Sequence, residues 1–208
     1  MMRPFRFLAR VALLGAFALP AACASAPTHY YTLVPTGGGD VPQMPLAPAP
    51  FAFEVLPVTI PSQDDQPQLV IRQGGAGVTL LQDERWIAPL GDEIRAALST
   101  HLAQRLRSAD VSGLPQGDQP VLRVKVDVRR FDSQPGAYAL IDAAWSLHLV
   151  GSPKGLPMLA CSSRINEPVG PGYDALVHGH QRALATLAAQ IAFAARGMVD
   201  GRRACPTN

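Results

Sequence analysis

The sequence predicts an α+β domain of the α/β sandwich type, with a mixed, mostly antiparallel sheet and two long helices packed on one face. Three observations predict it. Residues 121–131 (VLRVKVDVRRF) alternate strictly, with Leu122, Val124, Val126 and Val128 on one face and Arg123, Lys125, Asp127 and Arg129 on the other, as in a half-buried strand. Leu90, Ile94, Leu98, Leu102 and Leu106 recur every four residues and make one helical stripe. A second helical run opens at Tyr173, carries Leu176, Val177, His180, Leu184, Leu187 and Ile191, and is filled with alanine.

The other elements follow in order. Residues 30–34 (YYTLV) and the run from Phe51 to Val58, alternating in its first half, read as strands. Gly37, Gly38 and Gly39, with Pro42, Pro45, Pro48 and Pro50 behind them, read as a linker that becomes stiff and extended. Nine prolines between Pro27 and Pro67 exclude a long helix there. Residues 68–72 and 78–81 flank Gly74-Gly75-Ala76-Gly77, a hairpin signal. Pro89 opens the first helix, with Asp92 and Glu93 at the positive end of its dipole; the helix ends before Gly113. Residues 121–166 read as a meander with turns at Pro135-Gly136 and at residues 151–155. The last helix reaches the region of Gly197, a C-cap candidate.

The first 22 residues read as a secretory signal. Arg3, Arg6 and Arg10 precede the short apolar run Val11–Leu19, too short for a membrane-spanning helix. Removing those three arginines from 18 Lys+Arg leaves 15 against 16 Asp+Glu, a net charge of −1. No basic face for nucleic acid remains. Cys23 follows Ala21 and Ala22, the small residues that precede a lipidated cysteine, although Pro20 stands where the lipobox has a branched aliphatic residue. The alternative is ordinary signal-peptidase cleavage after Ala24 or Ala26. Lipidation of Cys23 leaves an even pair, Cys161 and Cys205. An oxidising compartment can join them; otherwise they are a buried thiol and a tail thiol. The organisation is thus residues 1–22 signal peptide, 23–28 spacer behind a lipid anchor at Cys23, 29–199 one domain, and 200–208 a polar tail.

Catalytic patterns are missing from the sequence. No Gly-x-Ser-x-Gly elbow occurs. Ser99, Thr100 and His101 diverge on a helix. His178 and His180 lie about 200° apart on another, so one metal cannot easily take both. Asp64 and Asp65 read as a solvated loop. No catalytic, cofactor or metal residue is assigned. Arg85 and Trp86 are candidate partner contacts, since both types are frequent at interface centres; core packing is the competing reading for Trp86.

One ordered set of segments resembles a known family: residues 30–33 (YYTL), 68–72 (QLVIR), 85–90 (RWIAPL), 121–131, 144–147 (AWSL) and 172–177 (GYDALV). They look like the PqiC-type lipoproteins, the auxiliary lipoprotein component of MCE-type ABC transport systems. The resemblance implies that residues 29–199 are one such domain, held by Cys23 at the periplasmic face of the outer membrane of a Gram-negative envelope. It implies a non-catalytic docking role toward a periplasm-spanning MCE-domain (PqiB-like) protein in lipid transport, with several copies forming a ring. The alternative is a soluble periplasmic lipid carrier.

Overall fold

The computed structural model describes residues 27–35, 47–115, 117–152 and 158–206. The signal peptide, Cys23, the glycines and first two prolines of the linker, and most of the 151–155 turn lie outside the described residues. In order, the elements are β1 His29–Tyr31, β2 Ala52–Val55, β3 Gln68–Arg72, β4 Val78–Trp86, α1 Leu90–Leu106, β5 Val121–Gln134, β6 Tyr138–Val150, β7 Leu159–Pro168 and α2 Tyr173–Val199.

The α+β class holds, and the strands divide between two sheets, ordered β1-β4-β3 and β2-β5-β6-β7. The β3–β4, β5–β6 and β6–β7 pairs are antiparallel, while β1–β4 and β2–β5 are parallel. The meander is long because β5 runs past the strict alternation. A bulge between Val128 and Arg130 resets its register, and Phe131, Asp132 and Ser133 are then all buried.

The α1 stripe goes into the core as its spacing predicts, each of the five residues being buried. Glu93 is buried too, and its carboxylate accepts from the Thr32 hydroxyl and the Leu33 amide, both at 2.7 Å, which ties the segment after β1 to the first turn of α1. At the other end of α1, the Arg196 guanidinium donates to the carbonyls of Arg105 and Leu106, groups the helix itself leaves unpaired, and to that of Ala47. Helix α2 packs against α1, β6 and β7. Gly179 is its point of closest approach, since an added Cβ would lie 2.2 Å from Val169 Cγ1 and 3.0 Å from Ala139 Cβ.

Three expectations change. Helix α2 continues through Gly197 to Val199; Gly201, at φ +79°, takes the left-handed turn and donates to the Met198 carbonyl. Asp64 is only 8% exposed, because the 61–67 turn folds inward. Trp86 is buried edge-on to Phe131, with ring centroids 6.1 Å apart, so the core accounts for it and the partner contact proposed for it loses its basis. Among the described residues, no helix is long and apolar enough to cross a membrane.

Candidate functional site

Two places stand out, one at the start of the domain and one inside it. The first is the edge formed by β1. Tyr30 pairs with Arg85 of β4, and the Ile87 amide donates to the Tyr31 carbonyl at 2.9 Å, which carries the ladder one residue further. Paired residues share a face, so Tyr30 and Arg85 project together while Tyr31 and Trp86 turn inward. The Arg85 guanidinium donates to the Gln82 carbonyl. On the inward side, His29 Nδ1 lies 3.0 Å from Glu84 Oε1, and this hydrogen bond and charge raise the imidazole pKa.

The second place is a buried polar cluster where the end of β3, the bulged end of β5, the 61–67 turn and α2 meet. Asp132 accepts from Arg72, at 2.8 Å from Nη2, and from Arg130. Burial pushes its pKa up, but the hydrogen bonds from Arg72 and Arg130 outweigh this and hold it below the ordinary value. Asp64 lies within the field of Asp132 and Arg72. Burial, then repulsion from Asp132, raise its carboxyl to about 6 against the attraction of Arg72.

Ser133 Oγ and His180 Nε2 are 2.8 Å apart, the spacing of a nucleophile and its base. Three features argue for a structural pair instead. His180 is 0% exposed and Ser133 is also buried. Burial pushes the imidazole down to about 3, too weak a base for neutral pH. Among the described residues, its Nδ1 has no hydrogen-bond partner to orient it. The ring instead stacks on Phe131, with centroids 3.9 Å apart and planes 11° from parallel. His178 is exposed, and the two histidines of the 178–180 segment are a surface and a core residue, as their spacing predicts. Ser99 hydrogen-bonds to Asp110 and His101 is buried without a partner, so these neighbours form no dyad.

The sequence offered no sign of the inner cluster. Arg72 and Asp132 are 60 residues apart, and Ser133 and His180 are 47 apart. The one local hint is the Arg129-Arg130 doublet that breaks the alternation of β5 at its bulge. A shallow open cleft of about 570 Å³ lies beside the cluster, lined by Arg72, Gln73, Gln134 and Tyr173 among others. Among the described residues, no three His, Cys, Asp or Glu side chains converge as metal ligands. At the opposite side of the meander, the sulfur atoms of Cys161 in β7 and Cys205 in the tail lie at 1.96 Å, with Cα atoms 5.6 Å apart.

With that arrangement in place, comparison with known proteins decides the family. The model of the ABC-type transport auxiliary lipoprotein component matches residues 31–192. The chain belongs to that family. The match runs from the last residue of β1 well into α2, so both places described above fall within it or at its edge. The fold is shared with an uncharacterized protein of known crystal structure, at 20% identity over 81% of this chain and 98% of that one, with a TM-score of 0.61. It is also shared with protein XCC0632 from Xanthomonas campestris, at 15% identity over 83% and 96% of the two chains, with a TM-score of 0.56. No curated protein matches the chain.

Proposed function

We propose that this family member is a non-catalytic docking lipoprotein. Cys23 carries lipid and holds the domain at the periplasmic face of the outer membrane. The domain receives an MCE-domain protein of an ABC-linked intermembrane lipid transport system, and several copies assemble as a ring. The family match over residues 31–192 is the observation that carries this reading. The core supports it. A lipid carrier needs an enclosed apolar cavity, whereas here the helix stripes and the inner sheet residues fill the interior and the large cleft is open and partly polar. The buried Ser133–His180 pair, with its weakly basic imidazole, favours a scaffold over a hydrolase.

A tether suits such a role, because it raises the concentration of the domain at one membrane and lets several weak contacts act together. The test combines labelling by a palmitate analogue, wild type against Cys23→Ala, with capture of a purified MCE-domain protein from the same cell. Label on wild type alone, and capture of the MCE protein, are expected. Equal labelling of the two forms would remove the anchor. Labelled protein that captures no MCE protein would remove the docking role and leave the anchor standing.

A further inference from the structure

The geometry points to a second membrane contact made by the domain itself: Tyr30, Arg85 and Ile87 rest on the bilayer surface to which Cys23 is tied. The inference rests on the Cys23 anchor of the proposed function.

Placement comes first. Tyr30 and Arg85 are paired on the outer face, and Ile87, two residues beyond Arg85, returns to that face after the inward Trp86. Tyr30 is 61% exposed and Ile87 66%, although both types ordinarily lose exposure on folding. Strand β1 is the outer strand of its sheet, so the patch sits at a border of the domain.

Chain length then selects the occupant. Tyr30 is seven residues after Cys23, a reach of at most about 25 Å even when fully extended. An anchored cysteine therefore keeps this border within about 25 Å of the lipid headgroups, close enough to touch them. Other exposed apolar side chains are less constrained. Phe193 lies 19 residues along α2 from Asp174, which sits close enough to His29 to raise its pKa; at the helical rise this is about 29 Å from the β1 end.

The chemistry fits an interface. Tyrosine places an apolar ring below a polar hydroxyl at headgroup depth, and arginine lays its stem on apolar surface while its guanidinium reaches phosphate. Asp83 and Glu84 precede Arg85, with His29 opposite Glu84, so the border has no cationic excess. The contact rests on burial of Tyr30 and Ile87 rather than on attraction to anionic lipid, and salt leaves it unchanged.

The experiment uses the full lipid-modified protein on vesicles of phosphatidylethanolamine and phosphatidylglycerol doped with shallow spin-labelled phosphatidylcholine. Tyr30→Trp and Phe193→Trp each add one exposed indole above the emission of the buried Trp86 and Trp145. The added emission of Tyr30→Trp is expected to shift to the blue and to lose most of its intensity to the quencher, equally at low and high salt. That of Phe193→Trp is expected to stay unquenched. Protein that floats with the vesicles while Tyr30→Trp remains unquenched would overturn the contact and leave the anchor intact. Emission that changes only when the MCE protein is added would assign the patch to that partner and overturn the bilayer contact. Protein that fails to float at all would take away the anchor, and the inference with it.

Discussion

Asp64 sits in the 61–67 turn, 8% exposed as a residue, and its carboxylate meets no hydrogen-bond donor among the described residues. It faces Asp132 of β5 and Arg72 of β3, and burial with the Asp132 charge holds it at about 6 against an ordinary 3.8. That difference, at about 1.36 kcal/mol per pKa unit, caps the liability of the ionised carboxylate at about 3 kcal/mol, and solvent reaching the carboxylate screens it to about 1–2 kcal/mol. The sign follows from proton binding. Between about 4 and about 6 the folded state holds the proton that the unfolded state has released, so stability falls as pH rises through this window. Above it the full penalty applies; below about 4 it vanishes. Asp64→Asn keeps the shape and removes the charge. The variant is expected to be more stable than wild type at pH 7.5 by about 1–2 kcal/mol, or about 2–8 °C in Tm for a domain of this size, and nearly equal to it at pH 3.5. His180, held low by burial, destabilises both proteins as pH falls below its ordinary 6.5, but it cancels in the difference between them. Thermal and urea unfolding of both proteins across this range provides the measurement. A difference that does not change with pH, or an Asn variant less stable at pH 7.5, would refute the reasoning.

Two further predictions concern packing and covalent closure. We propose that Cys161 and Cys205 form a disulfide in the exported protein. With a sequence separation of 44, loop-closure entropy gives a loss of about 4 kcal/mol on Cys205→Ser or on reduction; an unchanged melting temperature with reductant would count against the bond. Gly179→Ala adds a methyl where Val169 and Ala139 already stand. Overpacking of about 1–3 kcal/mol then exceeds the gain of about 1 kcal/mol from better helix propensity. Urea unfolding should therefore give a lower midpoint for the variant, and a higher one would mean that Val169 moves aside freely.

The chain alone determined its secondary structure closely, because the signals are local. The five-residue apolar stripe of α1, the alternation of β5 and the glycines between β3 and β4 each appear where periodicity and turn chemistry put them. The α+β class follows from the same signals, and the ordered segments within residues 30–177 already resembled the family that the match over residues 31–192 now establishes. Errors of position arose where a local cue had a nonlocal competitor. Gly197 resembles a cap, yet α2 goes on to bury Met198 and ends at Val199, just before the left-handed turn at Gly201. Asp64 and Asp65 look alike in a loop; only the inward fold of the 61–67 turn buries one beside Asp132 and leaves the other exposed. Arg85 and Trp86 likewise point to opposite sides of β4, one outward and one against Phe131. The division into two sheets, the Ser133–His180 pair and the Arg72–Asp132 bridge were decided by tertiary structure, since each joins segments that no periodicity relates. Local backbone chemistry can be read residue by residue, whereas burial and charge pairing depend on what the rest of the chain brings alongside.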